Sequence, residues 1–177
     1  MKRLRRHMRS TGLLSMSIAA LTILLVLSAG GAEAGIKGVA GTTFNLTAKA
    51  DHIATGDGGS VHFWGYALDG GRAQYPGPTF LVNQGDTITV NLTNALTVAA
   101  GTTPNVSIVF PGQEGVTAAG GAQGLLTREA PADGATVVTY TFTATHAGTY
   151  LYHSGTSPEL QTEMGLVGAI IVRPYGY

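Results

Sequence analysis

Cysteine is absent from all 177 residues. No disulfide can staple the fold, and no thiolate is available as a soft metal ligand. Charge is the second scarcity: only 11% of the residues are Asp, Glu, Lys or Arg, against roughly a quarter in an ordinary soluble domain. The zero net charge hides an asymmetry. Five of the ten basic residues but one of the ten acidic ones fall within residues 1–34. The remainder, residues 35–177, therefore holds nine acidic against five basic residues, which is not basic enough for a nucleic-acid partner. No 3.6-residue apolar stripe is long enough for a major helix, and no internal repeat or linker interrupts the chain. Ser-His-Asp spacing, a phosphate-cradling glycine loop and paired catalytic carboxylates are all missing.

What is present begins with an export signal. Lys2, Arg3, Arg5, Arg6 and Arg9 form a basic start, an uncharged Leu/Ile/Val/Ala run follows from Ser10 to Ala32, and Ala32-Glu33-Ala34 is a small-x-small cleavage site. That order describes a secretory signal peptide over 1–34, removed to leave one domain at 35–177, secreted or periplasmic. A retained membrane anchor is the alternative, because the apolar run approaches a bilayer-spanning length. Gly30-Gly31 breaks the run ahead of the cleavage site and favours removal.

From Phe44 onward, Thr, Val, Ile, Phe and Tyr recur between Gly, Pro, Asp and Asn. The pattern predicts strands near Thr42–His52, Val61–Ala67, Thr79–Val82, Thr87–Thr93, Asn105–Phe110, Val137–Ala144, Gly148–His153 and Gly165–Val172. Alternation puts Ile88, Val90 and Leu92 on one face, and Val138, Tyr140 and Phe142 on another. Gly165–Val172 is apolar on both faces, as for a central strand covered on both sides. Asp69-Gly70-Gly71 suits a tight turn with positive φ, and Tyr75-Pro76-Gly77-Pro78 a rigid corner. Gln113–Asp133 reads as a long loop with weak strand character around Gln123–Glu129. The sum is an all-β, Greek-key sandwich.

Three stretches then read together. Tyr75–Asn94 resembles the opening of a plastocyanin-like (cupredoxin) domain, Gly148-Thr-Tyr-Leu-Tyr-His-Ser154 resembles the strand that delivers copper ligands, and Gln161–Val172 resembles the closing strand. Their order resembles the N-terminal domain of the multicopper oxidases and, more closely, of the copper nitrite reductases. The resemblance covers about Val61 to Pro174. It implies a copper-dependent oxidoreductase family, and it also implies that most copper ligands are missing. Where nitrite reductases have His-Cys, this chain has His153-Ser154; where they have His-Asn-Val-Asp-x-His, it has Pro104-Asn105-Val106-Ser107-Ile108-Val109. The oxidase His-x-His is reduced to His153-Ser154-Gly155. A serine hydroxyl does not replace a thiolate in a trigonal copper site. Of the family's ligands only His153 remains as a metal candidate, with Met164 as a possible axial thioether.

Each of these residues also has a plainer role. His153, at the end of an apolar strand, reads as a half-buried imidazole holding a loop, and Met164 as core packing. His62 shares a face with Trp64 and Tyr66 in a solvent-side or interface stripe; His52 faces water and His146 occupies a surface turn. Glu159, Gln161 and Glu163 read as a solvated loop. The function expected is a structural or assembly unit of a copper oxidoreductase, not itself catalytic and holding no copper tightly alone. The alternatives are a periplasmic copper carrier and a subunit lending His153 to an intersubunit copper site. The sparse charge points to a covered surface, with another cupredoxin domain or subunit, possibly a second copy, as partner, and a membrane contact only through an uncleaved signal. The sequence ends just past the closing strand, which leaves a free-standing domain, a separately encoded subunit and a truncated product all open.

Overall fold

The computed structural model describes residues 38–98 and 101–177; the expected signal at 1–34 lies outside them. Among the described residues twelve strands and one short helix follow in order. They are β1 Val39–Ala40, β2 Thr43–Ala54, β3 Ser60–Leu68, β4 Ala73–Gln74, β5 Phe80–Asn83, β6 Thr87–Asn94, β7 Thr117–Gly120, β8 Ala122–Gln123, β9 Arg128–Glu129, β10 Val138–Thr143, β11 Gly148–His153, α1 Pro158–Met164 and β12 Val167–Arg173. One sheet has the order β1-β5-β12-β11, the other β4-β3-β2-β6-β10-β7, and β8-β9 form a small ribbon. Neighbours far apart in sequence, such as β5 beside β12 and β2 beside β6, both parallel, give the crossed connections of an all-β sandwich.

Alternation builds the core. Along β6, Ile88, Val90 and Leu92 are buried; opposite them across the antiparallel β6–β10 ladder lie Phe142, Tyr140 and Val138, also buried. An aromatic stack joins the two sheets: Phe44 of β2 stacks on Phe80 of β5 at 4.0 Å, and Phe80 on Tyr152 of β11 at 4.7 Å. Fully burying a side chain of this size contributes about 1.5–3 kcal/mol. The Tyr152 hydroxyl donates to the Pro78 carbonyl at 2.7 Å, so its polar end is satisfied inside the core. The β2–β3 hairpin continues beyond this core; its tip from Ala54 to Val61 is exposed. The Asp69-Gly70 turn has the expected positive φ at both residues.

Four expectations need correction. Asn105–Phe110 is no continuous strand. It makes two isolated bridges, Val106 to Ala130 and Val109 to His153. Between them the Ile108 N–H donates to the Tyr140 hydroxyl, so a side chain satisfies the backbone where a ladder would otherwise run. The stretch read as a loop around Glu159–Glu163 is α1. Pro158 starts it with a preset φ, Glu159 favours its first turn, and Gly165 ends it at φ 121°. Any side chain at 165 would meet the Trp64 carbonyl. Seven residues are too few to show a periodic stripe. β12 is central in its sheet but covered on one face only: Gly168, Ile170 and Val172 are buried, the alternate residues half-buried. Finally, within Gln113–Asp133 the strand character expected around Gln123–Glu129 takes form as β8 and β9, while β7 is a strand where the reading has loop.

Candidate functional site at the end of β11

His153 ends β11, one residue after core-facing Tyr152, and its backbone pairs with Val109 in both directions, at 2.9 and 3.2 Å. Its half-buried imidazole uses Nδ1 toward the Ser154 carbonyl at 2.9 Å. A carbonyl only accepts, so Nδ1 carries a proton, and the tautomer compatible with this bond leaves the lone pair on Nε2. Outer-shell hydrogen bonds of this kind orient metal-binding imidazoles, and they also hold structural ones.

Around His153 a buried polar network closes the corner. The Ser154 hydroxyl, fully buried, donates to Gln161 Oε1 of α1, and Gln161 Nε2 donates to the Asn105 carbonyl at 2.9 Å. The Thr156 hydroxyl donates to Ser107 Oγ at 3.0 Å, and the Thr156 N–H reaches back to Ser154 Oγ. Three segments (residues 104–109, 153–156 and α1) are thereby stitched together. Gly155 completes the packing: a Cβ there would stand 2.7 Å from Val109 Cγ1 and 3.1 Å from Ser107 Oγ. Behind the network, Tyr140 accepts from Ile108 N–H and donates to the Arg128 carbonyl at 2.7 Å. Burial pushes the Tyr140 and Tyr152 hydroxyls well above the ordinary tyrosine range, so both remain protonated.

Comparison with known proteins gives the family. A family model described as multicopper oxidase matches residues 54–176. The chain belongs to the multicopper oxidase family. Among solved structures it is similar to a multicopper oxidase from Pseudomonas thermotolerans, with TM-score 0.60, 23% identity, and coverage of 80% of this chain and 31% of that one. McoA multicopper oxidase from Aquifex aeolicus gives TM-score 0.59 and 24% identity, covering 79% and 29%. Copper nitrite reductase from Nitrosomonas europaea gives 0.52 and 24%, covering 79% and 43%. These likenesses bear on the fold; the chain spans under half the length of each. No curated protein matches the sequence.

Set against the multicopper oxidase family, the corner's donor set does not fit blue copper. Such a centre takes two imidazoles and a thiolate. In the nitrite-reductase resemblance drawn from the sequence, Ser154 stands for the thiolate, and its hydroxyl already serves Gln161. In the same resemblance Val109 stands for an imidazole, and its methyl fills the space beside Gly155. Ser107 there stands for a carboxylate, and it is bonded to Thr156. Among the described residues no three His, Cys, Asp or Glu side chains surround a common metal position.

The remaining candidates are distributed elsewhere. Met164, at the end of α1, packs against the core and lines a cleft with His62 and Trp64, a lining set that does not include His153. His146 is exposed, its Nδ1 paired with the Thr145 hydroxyl. His52 and His62 are brought together as cross-strand partners. Gln161, read from sequence as part of a solvated loop, is instead fully buried and central to the network. The signal for it was slight: an uncharged amide between Glu159 and Glu163.

Proposed function

We propose that this chain is an exported plastocyanin-like unit that serves assembly or structure in a copper oxidoreductase, with redox copper held by another domain or subunit. The observation that carries this reading is the corner at Ser154: the positions that would present ligands are occupied by hydroxyls already hydrogen-bonded to protein and by an apolar side chain packed on glycine. On this reading the chain alone holds no blue copper and performs no one-electron oxidation.

The partner is another cupredoxin domain, of this chain or of a related one. Leu151 is 55% and Leu126 63% exposed. Leu151 alternates onto the outward face of β11 with His153, and Leu126 Cδ1 approaches the space above Gly155. Even a few hundred Å² of such apolar surface, at about 25 cal/mol per Å², contributes several kcal/mol before association costs.

The test is the exported product of the full-length gene. Its N-terminus should be Gly35 and it should sediment as an assembly, while Leu126→Asp with Leu151→Asp should disperse it without altering the β-rich circular dichroism. An uncleaved product that stays monomeric at high micromolar concentration would overturn the reading. A second reading, that His153 lends its Nε2 to a copper shared with the partner, is favoured by the tautomer that Ser154 imposes. It requires His153→Ala to lower copper affinity in the assembled protein.

A further inference from the structure

Away from the positions the family fills with ligands, the β2–β3 hairpin holds two imidazoles side by side. His52 and His62 are directly opposed in the antiparallel register, and their ring centroids are 4.9 Å apart with planes tilted by 56°. The register explains why they share a face. One pair further in, Ala50 faces Trp64, and beyond that Ala48 faces Tyr66; both Trp64 and Tyr66 are buried in the core. The histidines therefore occupy the core-facing side of the hairpin where it has run past the core, and both are exposed. His146 and His153 each have a ring nitrogen tied to a neighbour; among the described residues neither ring of the pair is so tied.

His62 lines a cleft of about 430 Å³ with Trp64, Thr97, Val98 and Met164, and the His52 ring stands against that of His62. The near carboxylate is turned away: Asp51, next along β2, accepts from Nε and Nη2 of the exposed Arg72 side chain at 3.1 and 2.9 Å on the opposite face. The donors offered to this side are thus two imidazoles and a thioether, beside an indole. Directly opposed side chains have Cβ atoms about 4.5–5.5 Å apart, close enough for two ring nitrogens to meet one ion at about 2.0–2.1 Å each. Hard cations take oxygen, and imidazole alone serves zinc, nickel or cupric ions; a thioether beside it selects monovalent copper.

We propose that His52 and His62 form a surface site for Cu(I), with the Met164 thioether as the third donor and Trp64 beside it. His52 precedes the residues matched by the family model, and neither histidine stands at a ligand position of the family pattern; of the three donors only Met164 is one that the pattern also offers. It is independent of the assembly role proposed above and of His153.

The test titrates the full-length exported protein with Cu(I) alone, anaerobically and against a colorimetric Cu(I) chelator. One equivalent should bind, and binding should quench the fluorescence of Trp64, the chain's single tryptophan. His52→Ala and His62→Ala should each weaken binding by about tenfold or more, and the double variant should abolish the quenching. Met164→Leu should weaken Cu(I) while leaving Cu(II) and Zn(II) binding unchanged. His153→Ala should leave this equivalent intact, which separates failure of this site from failure of the assembly reading. Both histidines are exposed, so their variants should keep the circular dichroism of the parent. No quenching on addition of Cu(I), or an equivalent retained in the double variant, would overturn the proposal and leave an aromatic cross-strand pair only.

Discussion

Two histidine-bearing regions of this chain differ in how their polar groups are satisfied. At the end of β11, His153 is half-buried, its Nδ1 spent on a carbonyl, and the hydroxyls around it are bonded to Gln161 and Thr156. At the overhanging hairpin, His52 and His62 face each other in the open, with ring nitrogens not hydrogen-bonded among the described residues. The family resemblance directs attention to the first region, while the second offers two imidazoles without competition. The difference teaches that a ligand's position in a family pattern and its availability to a metal are separate properties. Availability depends on what else the side chain already holds.

Substitutions in the two regions should differ in their effects. The largest effect is expected at Gln161. Gln161→Ala leaves the buried Ser154 hydroxyl and the Asn105 carbonyl without partners, and each buried orphan costs about 1–3 kcal/mol. Denaturant unfolding should show a loss of about 3 kcal/mol; a loss near zero would mean that the network does not hold the corner closed. Next comes Gly155→Ala, which forces a methyl against Val109 and should cost about 1–3 kcal/mol. Combined with Val109→Ala it should recover part of that loss, and additive effects in the double-mutant cycle would refute the packing account.

Ser154→Cys is expected to be milder, a destabilisation of about 1 kcal/mol from the altered bond to Gln161. Added Cu(II) should produce no intense thiolate-to-copper absorption, because among the described residues no further His, Cys, Asp or Glu gathers there to complete a metal site. A blue protein would show the corner to be more adaptable than its packing implies. At the hairpin, by contrast, His52→Ala and His62→Ala should each change stability by no more than about 0.5 kcal/mol, as exposed residues generally do.

The smallest effect concerns acid. Asp51 is held down to about 2, first by its hydrogen bond to Arg72, and Asp133 to about 2, first by the Thr136 hydroxyl. Carboxyls depressed in the fold stabilise it above their ordinary value near 3.8, and that contribution fades as pH falls toward 2. Asp133 is exposed and Asp51 half-buried at the surface, so solvent screens both and the loss should be slight. Arg72→Ala and Thr136→Ala should flatten the stability profile between about pH 4 and 2, and an unchanged profile would remove these contacts from the account.

Much of the fold was legible because it rests on alternation, which is local. Ile88, Val90 and Leu92, or Val138, Tyr140 and Phe142, are recognisable as one face from neighbours two positions away. Asp69-Gly70 announced its turn through the backbone it requires. The family motifs were legible for the same reason, each being a continuous run. Where residues 104–110 were expected to form a strand, the failure has a physical cause: Tyr140, some thirty positions away, satisfies the Ile108 N–H and takes the place of a ladder partner. Helix α1 escaped because two turns carry no period, and its start and stop depend on Pro158 and on the room denied at Gly165.

Sequence alone determined the sandwich, its family and the lack of thiolate, since these follow from composition, period two and contiguous motifs. Tertiary structure decided what the polar residues do. Ser154, Gln161 and Asn105 become one network only because α1 folds back against residues 104–109, bringing together groups 7 and 56 positions apart. His52 and His62 become a pair only through the register of one hairpin, and a slip of a single residue would turn one of them to the opposite face.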